Sequence, residues 1–177
     1  MRMNAHKTLW LALALAVGLT LWGCGYQMAG RGASQLPPHL KTIAIPVFEN
    51  SSAEPSLQRP FTEALRRAFI TDGRLRLVND QNGADLVMTG TLTKYWIRAV
   101  AFNSLDVAIE YWVYLEADVR VEDRVQNRTY LKQKLQTRWD YLADDSVVSS
   151  EASRQEALVQ TYRVLSQRLV SLVNDKF

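Results

Sequence analysis

The sequence predicts an α/β (α+β) sandwich: a mixed, mostly antiparallel four-stranded sheet, with a short extra strand as an option, and two helices packed on one face. Three observations lead there. Apolar residues alternate along three long stretches in the second half of the chain, the period of strands with one dry face. Two other segments repeat apolar residues every three or four positions, as amphipathic helices do. Finally, 177 residues with 47% hydrophobic and 22% charged content suffice for a single core and exclude wholesale disorder. The expected order is β-α-β-β-β-α.

Lys41–Phe48 opens the domain as a strand, with Ile43, Ile45 and Val47 on one side and Pro46 confining it to an edge or a bulge. Asn50–Glu54 reads as loop. Leu57, Phe61, Ala64, Leu65, Ala68 and Phe69 then fall at helical spacing, and Gly73 supplies a left-handed stop. Pro60 interferes with the first turn, so the start is open between Ser56 and Pro60. Leu75–Val78, before the Asn79–Gly83 turn, is the candidate for the extra strand.

Ala84–Arg98 sets Leu86, Met88, Gly90 and Leu92 against Val87, Thr89, Thr91, Thr93 and Tyr95. Val107–Val121 is the clearest stretch: its odd positions (Val107, Ile109, Tyr111, Val113, Leu115, Ala117, Val119, Val121) form a core face. Its even positions, including Glu110, Trp112, Tyr114, Glu116, Asp118 and Arg120, face outward. Thr129–Tyr141 places Leu131, Leu135 and Trp139 inward and Lys132, Lys134 and Arg138 outward. Glu122–Arg128 suggests a hairpin. With Val121 opposite Thr129, Asp118 faces Lys132 and Glu116 faces Lys134, ion pairs of ~0.2–1 kcal/mol each. The last helix is expected from about Ser150 to Asn174 on Leu158, Tyr162, Leu165, Leu169 and Leu172, with Ser153 and Glu156 as a capping box. A crossover then sets the first strand parallel to a later one, with both helices over the same sheet face.

Residues 1–23 read as a processing signal. Arg2, His6 and Lys7 precede Leu9–Leu21, whose only polar member is Thr20. As a helix this stretch rises about 20 Å, short of the roughly 30 Å hydrocarbon core. It is therefore a leader rather than a membrane span. The stretch ends at Leu21-Trp22-Gly23-Cys24, and Cys24 is the sole cysteine. A small residue before a cysteine, with leucine three before it, resembles the lipobox of bacterial lipoproteins, although Trp22 departs from the small or aliphatic residue usual there. That likeness implies acylation of the Cys24 sulfur, cleavage before it, and an anchor of two or three acyl chains. Gly25, not aspartate, implies the outer membrane as the address. The competing readings are an ordinary secretory leader followed by an accidental cysteine, and a buried N-terminal helix of a cytosolic domain. The expected organisation is leader 1–23, lipidated N-terminus and tether 24–40 with its Gly-rich start and Pro37-Pro38, and one domain over 41–177.

The chemistry inventory is mostly negative. The +3 net charge shrinks once the leader is removed: without Arg2 and Lys7, 19 of the 21 bases stand against 18 acids. No nucleic-acid partner is implied. Past the leader His39 is the only histidine, and no metal-spaced His/Cys cluster, nucleophile elbow or Walker loop occurs. Gly30-Arg31-Gly32 has no strand before it or helix after it to make a phosphate loop. No catalytic residues, metal or cofactor are expected. Asp144-Asp145 belongs to the loop before the last helix.

The outward sheet face is the unusual feature. It is expected to show Tyr95, Trp112, Tyr114 and Tyr130 among threonines and mixed charges, as binding surfaces do. The plainer reading is that these rings only stack across strands. Lys132, Lys134 and Arg138, with Lys94 and Arg98, are candidates to contact phosphates of an anionic lipid. The plainer reading for them is solvated or salt-bridged positions.

A family resemblance runs through nearly the whole mature chain. Cys24-Gly25-Tyr26-Gln27-Met28-Ala29-Gly30, Leu36-Pro37-Pro38-His39-Leu40-Lys41-Thr42-Ile43-Ala44-Ile45-Pro46 and Leu65-Arg66-Arg67-Ala68-Phe69-Ile70-Thr71-Asp72-Gly73 resemble the LptE family of lipopolysaccharide-assembly lipoproteins. Ala84-Asp85-Leu86-Val87-Met88-Thr89-Gly90 and Ala108-Ile109-Glu110-Tyr111 extend the likeness. It implies a sandwich lodged as a plug in a large outer-membrane barrel of LptD type, assisting barrel assembly and lipopolysaccharide delivery without bond chemistry. The loop Ala99–Asp106 carries no base, so the lipid-contacting bases of enteric members do not transfer there. The alternatives are an outer-membrane lipoprotein that activates a peptidoglycan synthase, and an envelope hydrolase built on a carboxylate pair.

Overall fold

The computed structural model describes residues 36–143 and 146–175. The expected leader, Cys24, the expected tether up to residue 35 and Asp144-Asp145 lie outside the described residues. Three long strands dominate: β4 (Leu86–Phe102), β5 (Ala108–Asp123) and β6 (Arg128–Leu142) form an antiparallel meander. Three short ones, β1 (Thr42–Ala44), β2 (Glu49–Asn50) and β3 (Arg76–Val78), complete a mixed six-stranded sheet. Its order is β3-β1-β4-β5-β6, with β2 also against β4. β1 runs parallel to both β3 and β4, as the crossover requires.

The expected first strand is broken in two. Pro46 has no N–H for a ladder, and residues 45–48 leave the sheet before β2 rejoins it. The freed backbone groups are satisfied by the first helix, α1 (Gln58–Asp72). Arg66 donates to the Ile45 carbonyl through Nε (2.9 Å) and Nη2 (2.7 Å), and the Thr62 hydroxyl accepts from the Phe48 N–H at 3.0 Å. Pro60 is tolerated because a first-turn N–H has no helical partner to lose. Gly73 ends the helix at φ 73°, its N–H donating to the Phe69 carbonyl at 3.1 Å.

The second helix, α2, spans Val147–Asn174 and begins before the expected Ser150. Ser146 stands at its N-cap without a side-chain bond, so the anticipated Ser153/Glu156 box falls inside the helix and caps nothing. Both helices cover one sheet face. Phe61 of α1 meets Phe48 edge-on (5.1 Å) and Tyr162 of α2 (6.0 Å), in one buried cluster with Met88, Leu92 and Leu115 of the sheet and Leu165 and Leu169 of α2. The helices also run in the same direction. Their C-terminal ends meet where Asn174 donates to Asp72 (2.9 Å) and Arg74 spans Asp72 (2.9 Å) and Asp175 (3.0 Å). Neither helix has a base in its last turn, so Arg74 supplies the cation that both dipole ends favour.

Two expectations fail in the meander. The turn at Arg124–Asn127 and an extra residue at Tyr130 displace the β5–β6 register. Val121 faces Leu131, Asp118 faces Lys134, and Lys132 faces Arg120 instead of Asp118. The other correction concerns the far end, where the β4–β5 hairpin outruns the helices. Val107 precedes the strand and is 57% exposed, and Ile109 is exposed as well, so neither joins the buried core.

Gly90 is the tightest point of the sheet. A Cβ there would overlap the Phe48 ring and sit 2.7 Å from the Asp118 carbonyl oxygen. Gly90→Ala should therefore cost about 1–3 kcal/mol by overpacking, measured by urea unfolding of the full chain in detergent. An unchanged midpoint would show that β2 and Phe48 yield freely.

Candidate functional site

Because β4, β5 and β6 pair antiparallel in continuous register across most of their length, their outward side chains form ordered rows. Arg98, Trp112 and Asp140 lie side by side across the three strands. Next come Trp96, Tyr114 and Arg138, then Lys94, Glu116 and Gln136, and then Thr91, Asp118 and Lys134. Thr89, Arg120 and Lys132 form the row nearest the β5–β6 turn. The aromatic part is closely packed: Trp96 stacks on Tyr114 at 4.6 Å with planes 3° apart, and Trp112 meets Tyr114 edge-on at 6.2 Å. The Arg138 guanidinium sits 3.8 Å above the Trp112 ring, a cation–π contact. Tyr114 is buried by these neighbours, so cross-strand stacking accounts for its placement.

Glu116 organises the centre. Its carboxylate lies 3.1 Å from Lys134 Nζ and 3.7 Å from Lys94 Nζ, and it accepts from the Thr93 hydroxyl at 2.9 Å. The bonds from Lys134 and Thr93 hold the Glu116 carboxyl below its usual range, and Glu116 in turn raises Lys134. The expected Glu116–Lys134 pair thus exists, although it is diagonal: Gln136 is the residue directly opposite Glu116. Arg98 and Lys132 have no carboxylate partner among the described residues. Lys132 also stands opposite Arg120, a like-charge pair that costs stability. A cleft of about 700 Å³ opens along this charged end, between Val47 and Glu49 on one side and Arg120, Lys132 and Lys134 on the other.

The structure therefore puts Lys94, Arg98, Lys132, Lys134 and Arg138 on one face, together with Trp112 and Tyr114. Tyr95 and Tyr130 are corrections. A bulge at Thr93 reverses the alternation, so Tyr95 points to the helices and its hydroxyl accepts from Arg154 Nη1 at 2.6 Å. Burial raises the Tyr95 phenol, against the lowering by Arg154. The bulge at Tyr130 buries that ring as well, and its hydroxyl donates to the Val173 carbonyl at 3.0 Å. Trp96 and Arg120 complete the outward face. The first was missed because strict alternation put Trp96 inward; the second was seen as outward and given no role.

The N-terminal side of the described domain is pinned by carboxylates. His39 Nε2 and Asp123 Oδ2 lie 3.0 Å apart, and Asp123 is wholly buried while accepting from the Gln126 N–H. Asp85 accepts from the N–H groups of Lys41 and Thr42 and from the Thr42 hydroxyl, each at 2.9 Å. For both carboxyls burial pushes upward, and the hydrogen bonds they accept more than offset it, leaving each below the ordinary range. No group of three or more His, Cys, Asp or Glu side chains placed to hold a metal occurs among the described residues. No helix among them is long and apolar enough to cross a membrane.

A sequence model of the LptE family, lipopolysaccharide-assembly, matches residues 40–173. No curated protein matches the chain closely enough to count as a relative. Among solved structures the fold is similar to a minor lipoprotein of Acinetobacter baumannii, at 18% identity over 78% of this chain and 95% of that one, with a TM-score of 0.54. It is also similar to lipoprotein B of Nitrosomonas europaea, at 15% identity over 80% and 85% of the two chains and a TM-score of 0.57. Rare lipoprotein B of Shewanella oneidensis follows, at 13% identity over 73% and 94%, with a TM-score of 0.52. At these identities the likeness concerns the fold: a mixed sheet with two helices on one face.

The lowered carboxyls set an acid limit. A group held below its unfolded value, about 3.9 for aspartate, contributes stability fully above that pH and loses it as pH falls through the folded value. Unfolding midpoints should thus fall steeply below about pH 4. Asp123→Asn should cost about 1–3 kcal/mol at neutral pH and flatten part of that fall. Parallel pH curves for the two proteins would remove Asp123 from the acid response.

Proposed function

The chain belongs to the LptE lipopolysaccharide-assembly family, whose model covers residues 40–173, and from that premise we propose that it works as an outer-membrane lipoprotein lodged in a large barrel of LptD type. A role in lipopolysaccharide assembly follows from membership itself, and the family is not one of enzymes. In the fuller reading, residues 1–23 are removed, Cys24 carries the acyl chains, and residues 24–40 tether the domain of 41–177. The domain supports barrel assembly, occupies the lumen and touches lipopolysaccharide during its delivery to the outer leaflet.

The observation that carries this reading is the outward face itself. A face built for stability alone would pair its charges, yet Lys132 stands opposite Arg120 and Arg98 has no carboxylate partner among the described residues. Guanidinium and ammonium groups in that state suit the phosphates of an anionic glycolipid. Lys94 and Lys134 already share Glu116, so they are the weaker contacts of the five.

Three outcomes test the proposal. Purification of the tagged chain from detergent-solubilised outer membranes should recover a β-barrel; recovery of a soluble peptidoglycan synthase and no barrel would replace the reading. Cys24→Ala should abolish acylation and leave the chain uncut or released from the membrane fraction. Reversing Arg98 and Lys132 together to Glu should weaken lipopolysaccharide binding roughly fivefold or more, at ~0.5–1 kcal/mol per lost contact. Unchanged binding by the folded double variant would return both residues to solvent.

A further inference from the structure

The opposite layer of the molecule carries a second cleft. It runs between α1 and α2 on their solvent side, with a volume of about 560 Å³. The small side chains Ala64 and Ala68 on one helix and Val159 on the other give it an apolar floor, and Val159 is 59% exposed. Three guanidinium groups line it, from Arg67, Arg74 and Arg163, against a single carboxylate, Asp72. That carboxylate is already spent on Arg74 and Asn174. Arg67 and Arg163 have no acidic partner among the described residues, whereas Arg66 and Arg154 on the same two helices pair with Glu63 and Glu151. Ser166 also borders the cleft, and its buried hydroxyl has no partner among the described residues.

We propose that this interhelical cleft docks an extended, carboxylate-bearing segment of the protein that surrounds the domain. Charge complementarity selects the occupant: two guanidiniums with no acidic partner among the described residues flank small apolar side chains, which fits an extended peptide held between forked carboxylate contacts. A partner that encloses the domain must meet the helix layer as well as the sheet, so the inference rests on the plug reading. It separates the two surfaces by task, with the sheet for the anionic glycolipid and the helix cleft for protein.

The test is an Arg67→Glu/Arg163→Glu double variant of the full lipidated chain, purified beside wild type from outer membranes, with the barrel identified by mass spectrometry. Both positions are exposed, so the fold and its melting temperature should not change. Barrel recovery should drop about tenfold or more, as for lost charge pairs at an interface, while lipopolysaccharide binding in vitro stays at the wild-type level. A photo-cross-linker at Val159 should join the wild-type chain to the barrel. Wild-type barrel recovery by the double variant overturns the docking proposal and leaves the plug reading standing. A cross-link to lipopolysaccharide, or loss of glycolipid binding with recovery intact, would make the cleft a lipid site and also overturn it. Absence of any barrel with wild type would instead defeat the plug reading.

Discussion

The dry face of β5 constrains everything else. Val113, Leu115, Ala117, Val119 and Val121 are at most 2% exposed, each pressed against the helix layer or its neighbours in the core. Burying one such side chain is worth about 1.5–3 kcal/mol, so the row as a whole outweighs any single polar contact in the domain. Strand side chains alternate with period two, and a slip of one residue would therefore drive Glu116, Asp118 and Arg120 under α1 and α2. The register of the apolar row fixes which charges reach water. The outward face is a by-product of the core in position, and only its chemical composition is free to vary.

That composition does not minimise energy. Glu116 collects Lys134, Lys94 and Thr93, which is how a stable sheet treats its charges. Two rows away, Arg120 and Lys132 oppose each other, and among the described residues Arg120 pairs only with Glu122, at a long 3.8 Å, which Arg124 shares. The far end shows the same neglect of self-sufficiency, with Phe102, Leu105 and Leu142 all more than half exposed. A monomer gains nothing from either feature, and exposed apolar clusters favour association. Both fit the proposal that a partner encloses the domain.

Periodicity made the three long strands and two helices legible, because each buries one face over a dozen or more residues. The pairings between distant segments were not. His39 meets Asp123 across 84 positions, and no local pattern announces it. The bulges hid more. Thr93 and Tyr130 each add one residue to a strand, and each insertion transfers the following tyrosine or its own ring from the wet side to the dry one. Nothing in the composition around Thr93 distinguishes it from the threonines at 89 and 91. Pro46 was a fair warning of a break at the edge, since its missing N–H cannot join a ladder. The basic residues survived these shifts: Lys132, Lys134 and Arg138 follow the second bulge and stay in phase with one another, and Lys94 and Arg98 sit together after the first.

The two candidate surfaces are separated by the core, and this has an energetic consequence. Phe61, Leu65, Leu165 and Leu169 fill the space between helix layer and sheet. Substitutions more than 7–10 Å apart with no shared partner usually add within about 0.5 kcal/mol. Arg67 and Arg163 share no hydrogen bond or ion pair with Arg98 or Lys132 among the described residues, and screening at physiological salt weakens what Coulomb coupling remains over such a distance. A change on one layer should leave binding at the other untouched unless the core itself moves. Arg154 is one of the polar ties that cross this boundary. It lies on α2 yet reaches Tyr95 of the sheet at 2.6 Å while holding Glu151, and it comes within 3.6 Å of Glu54. Polar coupling between glycolipid on the sheet and protein on the helices would run through that guanidinium or through the Tyr130 hydroxyl on the Val173 carbonyl, because both tie α2 to the inner side of the sheet.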